Sequence, residues 1–333
     1  MAKVVLPPDL AEKAKEEIER LKMAVDSGWF WQGVQQLWRW VDWITALPWQ
    51  TKSKDILDLK FAREVLDKSH YGLENIKERI LEYLSVLILQ EQRSEKKIKA
   101  PVLCFIGLVG TGKTTIAKAI AEALGRKLIR IPFGGLGDTM YLRGQSRLHS
   151  EAEPGQLIKG LVKAGSKNPV ILLDEIDRVA DEALNAVMGV LVELLDPEQN
   201  DRFSDYFIDY PFNLSEAIFI ATGNNTRRVA TAVLDRLEVI QMPSYNDEEK
   251  IAIGKKYLFP KAVEEAGLKP EELEINENCW QQIVRPLGFD AGVRTLGRTI
   301  DGICRKAAKE IVEGKTQKLI ITLENIKEYL PSW

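Results

Sequence analysis

Two histidines and three cysteines are few for 333 residues, and Cys104, Cys279 and Cys304 stand far apart with no C-x-x-C spacing. That excludes a zinc knuckle or a disulfide framework and suits a reducing compartment, so the chain is expected to be cytoplasmic. No apolar stretch approaches the roughly 18 to 20 residues of a membrane span, and no apolar core of a signal peptide stands near the N-terminus. Neither sign of charge dominates: 46 Lys and Arg face 49 Asp and Glu, net -3, interspersed throughout. Without a basic face, neither nucleic acid nor a membrane surface is expected as a partner. Internal repeats and low-complexity tracts are absent as well. What remains is 45% hydrophobic and 29% charged, an ordinary globular balance with room for two or three domains.

The periodicity divides the chain into 1-92, 93-246 and 247-333. In "LPPDLAEKAKEEIERLKMAVDSG", Leu10, Ala14, Ile18, Leu21 and Val25 form one helical stripe, closed by Gly28. The next stretch carries Trp29, Trp31, Trp38, Trp40, Trp43 and Trp49, and Pro48 ends its helix. Tryptophans gather at membrane interfaces, but this segment lacks the Lys/Arg-rich face of an interfacial helix; core packing or a partner surface is expected. Two more helices complete an all-helical first region, and "RSEKKIKA" reads as a linker. From Pro101, five apolar runs alternate with helical segments: "VLCFIG", "KLIRIPF", "VILLDE", "AIFIAT" and "EVIQMP". Near-continuous apolar strands between helices predict a five-stranded parallel sheet covered on both faces. Helical spacing returns after Asp247, interrupted by one short strand, "KLIIT".

"GLVGTGKT" follows the first of these strands and opens the helix "KTTIAKAIAEALG", closed by Gly125. In that context Gly107, Leu108, Val109, Gly110, Thr111, Gly112, Lys113, Thr114 and Thr115 form a phosphate cradle. Lys113 is expected on the β and γ phosphates and the Thr114 hydroxyl on Mg²⁺. "VILLDEID" places acids at the carboxyl end of a buried strand, where open α/β sheets bind ligands. Asp174 is the expected metal ligand, and Glu175 the group that polarises the attacking water. Asn224, after the strand "AIFIAT", either orients that water or belongs to a plain turn. Arg236, before the strand "EVIQMP", and Arg294, at a helix start, either stabilise γ-phosphate charge or lie on the surface.

Taken together, "DWITALPW", "DLKFAREVLDKSHYGLENIKERILEYL", "LLDEID", "LLDPEQN", "FIAT", "LDR" and "AGVRTLGR" resemble the ATPase module of the Lon protease, within the AAA+ superfamily, from about Leu6 onward. The resemblance implies an α/β AAA+ P-loop NTPase fold with a helical region before it and a small helical lid after it. It assigns Walker A to Gly107–Thr114, Walker B to Asp174 and Glu175, sensor 1 to Asn224, the arginine finger to Arg236 and sensor 2 to Arg294. ATP and Mg²⁺ are the implied cofactors. The implied assembly is a homohexamer or open ring with nucleotide between subunits, acting on protein substrates.

The sequence departs from the family at the substrate-facing loops. Aligned through Arg143-Gly144 and Pro154-Gly155, the family's aromatic-aliphatic gripping pair falls on His149 and Ser150, within "RLHSEAEPG". "LNAV", Leu184 to Val187, replaces the Arg-Gly-Asp-Pro of a second pore loop. No peptidase segment follows "YLPSW", so an excised fragment or a stand-alone ATPase is expected. Two functions follow: an ATPase ring driving conformational change, or a nucleotide-switched scaffold that binds a partner through its Trp-rich arm. A DNA-remodelling relative is disfavoured by the missing basic patch.

Overall fold

The computed structural model describes residues 5–26, 31–93, 100–285 and 292–330. Gly28, Trp29, most of the charged run 93–100, the stretch 286–291 and the terminal 331–333 lie outside the described residues. Two compact units make up the chain: one of 1–65, 78–106 and 117–240, the other of 66–77, 107–116 and 241–333.

The first unit is built on a five-stranded parallel sheet. Its strands are β1 (Val102–Ile106), β2 (Leu128–Pro132), β3 (Val170–Asp174), β6 (Ile218–Gly223) and β7 (Leu237–Gln241), in the order β2-β3-β6-β1-β7. A two-stranded ribbon, β4 (Phe203–Asp205) with β5 (Tyr210–Phe212), lies between them in sequence. Every residue of β1, β3 and β6 is buried, as a sheet covered on both faces requires. The helices of this part of the chain are α5 (Lys113–Ala123), α6 (Met140–Arg143), α7 (Gln156–Ala164), α8 (Leu184–Leu195) and α9 (Thr231–Leu234). Before the sheet come α1 (Pro8–Asp26), α2 (Trp31–Ala46), α3 (Leu59–Ser69) and α4 (Glu74–Gln92). Leu10 and Ala14 of the predicted α1 stripe enter the same core as Trp40 and Ile44 of α2.

The tryptophans divide by environment. Trp40 is fully buried and satisfies its indole by donating to Ile208 O at 2.9 Å. Trp49 donates to Ile44 O at 2.7 Å and meets Tyr210 edge-on at 5.8 Å. Trp38 is 63% exposed. Trp40, Trp43 and Trp49 thus serve as core, and among the described residues no helix is long and apolar enough to cross a membrane.

The second unit gathers α10 (Asp247–Ile253), α11 (Phe259–Glu265), α12 (Trp280–Val284), α13 (Arg294–Val312) and α14 (Ile326–Tyr329) around Trp280, Ile283, Leu296, Ile300 and Ile303. A capping box starts α10: Asn246 accepts from Glu249 N, and Glu249 returns the bond to Asn246 N, both at 2.8 Å. The expected strand "KLIIT" is β9 (Leu319–Ile321), and it pairs in parallel with β8 (Leu273–Ile275). Only three residues long and flanked by acids, β8 carries too little pattern to be read from sequence.

Candidate functional site

The glycine-rich loop of the second unit begins where β1 ends, at Gly107. A Cβ there would stand 2.7 Å from Met242 O, so glycine is required by space. Gly110 at φ +83° and Gly112 at φ +96° are required by conformation, in the left-handed half of the map. Thr111 ties the turn by donating to Leu108 O at 2.9 Å, and Tyr245 donates its hydroxyl to Thr111 O at 3.2 Å. Lys113, the first residue of α5, folds its ammonium back onto Gly107 O and Leu108 O at 2.7 and 2.9 Å. A buried ammonium on two carbonyls of its own loop, at a helix start, is suited to exchanging them for phosphate oxygens. Thr114 sits in the first turn of the same helix. Arg294 opens α13, as expected, and its N lies 3.1 Å from where a Gly110 Cβ would stand; Val293 N donates to Gly110 O at 3.0 Å. The structure therefore brings the loop and Arg294 together.

His70 carries no local sequence signal of a site, and its relation to the loop is visible only in three dimensions. The ring is 5% exposed, with Nε2 2.9 Å from Thr115 Oγ1 and Nδ1 2.8 Å from Ser69 Oγ. Burial lowers its pKa to about 4, helped by Lys77 and opposed by a hydrogen bond to the Gly112 backbone. The folded value is below the unfolded value of 6.5, so between those limits the unfolded chain binds more protons on this ring. This contribution is therefore constant above pH 6.5 and lost as pH falls towards 4, by at most about 3 kcal/mol. The difference in unfolding free energy between wild type and His70→Gln, followed from pH 8 to 4, should show that slope; a flat difference contradicts it.

The acid edge belongs to the first unit. β3 pairs in parallel with β6, Leu173 opposite Ala221, which sets Asp174 beside Thr222 at the carboxyl ends of the strands. Asp174 accepts from Thr222 Oγ1 on one oxygen; the other takes Arg130 Nη2 at 2.6 Å and Nε at 2.7 Å. A 4% exposed carboxylate is thereby paired with a cation and a hydroxyl. Glu175 follows in a left-handed conformation, φ 59° and ψ 49°, rare outside glycine, and Thr222 Oγ1 receives its backbone N–H at 3.0 Å. Such backbone strain collects at functional sites. With its amide assigned so that the oxygen faces Arg178, Asn224 accepts from Nε at 2.9 Å and Nη2 at 3.2 Å, while Arg178 Nη1 lies 3.9 Å from Glu175 Oε2. Asp177 accepts from the backbone N–H groups of Asn224 and Asn225 at 3.0 and 3.3 Å.

Asp174, Glu175 and Asn224 are thus joined by a frame of Arg130, Thr222, Asp177 and Arg178 that sequence reasoning passed over. One signal was available: Arg130 interrupts the apolar run "KLIRIPF". Arg236 is not part of this cluster. Its guanidinium donates to Asp196 Oδ2 at 2.8 Å and Ala232 O at 2.7 Å, and its carbonyl accepts from Val102 N at 3.2 Å. Val102 begins β1, so Arg236 stands at the amino edge of a parallel sheet whose carboxyl edge holds Asp174, displaced by roughly 15 Å along the strands and about 14 Å across them.

The loop "RLHSEAEPG" is closed on itself and fixed to the amino-terminal helices. His149 N donates to Ser146 O at 3.1 Å and Ala152 N to His149 O at 3.2 Å. Arg39 of α2 donates to Ser150 O at 3.1 Å and Ala152 O at 2.9 Å, and Arg147 lies 4.7 Å over the Trp40 ring. Its exposed tip is Leu148, 87% accessible, one residue before His149. "LNAV" forms the first turn of α8, with Val187 buried in the core.

Comparison with known proteins agrees with this geometry. A family model described as "ATPase family associated with various cellular activities (AAA)" matches residues 103–245, and one described as "Lon protease AAA+ ATPase lid domain" matches 264–320. The Lon protease of Desulforamulus reducens is 42% identical over 334 residues, covering 99% of this chain and 40% of that protein. Lon protease 1 of Bacillus subtilis is 41% identical over 98% of this chain and 41% of its own length, and Lon protease 2 of Thermus thermophilus 40% over the same shares. The chain spans about two fifths of the length of these relatives. Sheet, cradle, lid and similarity agree: the chain belongs to the Lon protease family and carries its AAA+ ATPase module.

Proposed function

We propose that this chain binds Mg-ATP on Gly107–Thr115 and hydrolyses it, with Glu175 as the general base. The observation that carries the reading is the frame around Glu175: a left-handed backbone held by Thr222, beside an Asp174 paired with Arg130, with Arg178 reaching both Glu175 and Asn224. The residues fit the cofactor. Two left-handed glycines expose loop N–H groups, Lys113 offers a cation, and Asp174 and the Thr114 hydroxyl offer oxygens of the kind Mg²⁺ takes. Mg²⁺, when bound, neutralises charge on the β and γ phosphates. The protein's own residues do the rest. Backbone N–H groups and Lys113 fix the phosphates, Glu175 takes the proton of the attacking water, and Asn224 orients that water. Arg294 acts from the same chain, and the division into a helical region, 1-92, an α/β domain, 93-246, and a lid, 247-333, belongs to this reading.

Arg236 is assigned to the nucleotide of a neighbouring subunit. Its place at the sheet edge opposite Asp174 supports action in trans, and that requires a homohexamer or open ring. The free, buried cysteines accord with a cytoplasmic protein. No nucleic acid or membrane is assigned as a partner. Within such a ring the family's activity is to move polypeptide, and the exposed Leu148 offers one apolar contact where the aligned pair is His149-Ser150. The scaffold reading is favoured by one observation, the loop's attachment to α2 through Arg39. Two measurements divide these readings. Negative-stain imaging with a non-hydrolysable ATP analogue should show rings, and monomers only would remove the role of Arg236. Unfolded casein should leave the ATPase rate within about twofold if the loop does not grip, because one leucine buries little substrate; several-fold stimulation would establish threading instead.

A further inference from the structure

Within the glycine-rich loop Thr111 and Lys113 tie its first half, to Leu108 O and Gly107 O, and a loop that must be ordered on binding loses affinity to that ordering. Further support comes from outside it. His70 follows α3 in a turn made rigid by two successive left-handed residues, Gly72 at φ +61° and Leu73 at φ +59°. Lys77, 2% exposed, closes the turn with its ammonium on Asp67 at 2.7 Å and Glu74 at 3.4 Å. His70 N donates to Leu66 O at 2.9 Å, and Tyr257 holds Asp67 O at 3.0 Å from the lid side of the same unit. The ring has little freedom, and it lies against Gly112: a Cβ there would meet its Cδ2 at 3.3 Å and Nε2 at 3.4 Å.

The proton positions follow from the partners. Thr115 spends its single hydroxyl proton on Gly112 O at 2.8 Å, so at Nε2 it can only accept. Ser69 Oγ lies 2.8 Å from Nδ1 and 3.2 Å from Leu66 O; we assign its proton to the shorter contact, which leaves the imidazole's own proton on Nε2. A continuous relay runs from Ser69 through His70 and Thr115 to the Gly112 carbonyl.

We propose that His70 is a positioning residue of the phosphate loop: fixed at the α3–α4 turn, it donates from Nε2 to Thr115 and so holds Gly112 in the shape that receives nucleotide. This rests on the reading that Gly107–Thr115 is the nucleotide cradle. His70 need not touch the nucleotide to do this. Its loss lowers affinity because the free loop must then be ordered at each binding event.

The test is the dissociation constant of ADP, measured calorimetrically on the whole chain, with the melting temperature of each variant. His70→Phe keeps the ring and loses the donor; its Kd should rise about 10-fold, the size of one buried donor lost. His70→Gln returns a donor near Nε2 and should bind within about threefold of wild type. In turnover the Phe variant should show the change in KM, with kcat within about threefold, since the reacting groups are untouched. Wild-type affinity in His70→Phe overturns the proposal, as do equally weak Phe and Gln variants, which would make the role one of ring fit. If His70→Phe does not fold, Thr115→Val removes the acceptor; it should weaken ADP binding to the same extent, and adding His70→Gln should change nothing further. Failure of the wild-type protein to bind ADP overturns the cradle reading itself, a result distinct from all of these.

Discussion

Replacing Glu175 with Gln should lower phosphate release by a factor of about 10² to 10⁴ while leaving ATP binding unchanged. The amide keeps the size of the side chain and cannot take a proton at neutral pH. What holds the residue in place is its backbone: the left-handed conformation and the N–H bond to Thr222 survive the change. Stability should accordingly move by less than about 1 kcal/mol, as for most substitutions away from a core. A thermal melt and a nucleotide titration on the same preparation separate the effects. Turnover within about threefold of wild type would remove Glu175 from the role of base, and lost binding would make it part of the cradle instead.

The second large effect is expected at Gly292→Ala. A Cβ there would stand 2.4 Å from Gly110 C and 2.5 Å from Val109 O, and both are backbone atoms of the glycine-rich loop. No rotamer relieves such a contact, so either the loop or the start of α13 must shift. Overpacking of this kind costs about 1 to 3 kcal/mol, and displacement of the loop should weaken ADP binding by at least about 10-fold. Gly297→Ala is the control within the second unit: nothing lies within 4 Å of its added carbon, and α13 should gain about 0.5 to 1 kcal/mol in helix propensity. Calorimetric titration with ADP distinguishes the two. Unaltered affinity in Gly292→Ala would mean that loop and lid are not coupled through this contact.

The sheet was legible because its five strands are apolar runs bounded by glycines and charges, and buried strands have no other way to read. The glycine loop and the helix it opens were legible because glycines, a lysine and a helix start at fixed spacing are all local in sequence. What escaped notice depends on contacts distant in sequence. Arg130 and Asp174 meet through strand pairing, Thr222 reaches Asp174 across 48 residues, and His70 reaches Thr115 across 45. Arg178 stood inside a quoted motif, but only the folded turn shows it lying between Glu175 and Asn224. The loop "RLHSEAEPG" shows the same limit. Its polarity was plain, whereas its attachment to α2 rests on Arg39, more than a hundred residues upstream.

The central claim is that the strained acid edge and the glycine loop together hydrolyse ATP. It is tested most directly by steady-state phosphate release from the purified chain, with and without Mg²⁺, with Glu175→Gln measured alongside. Mg²⁺-dependent release that disappears in the Gln variant is the predicted result; release equal in both proteins, or none from wild type at saturating ATP, would contradict the account.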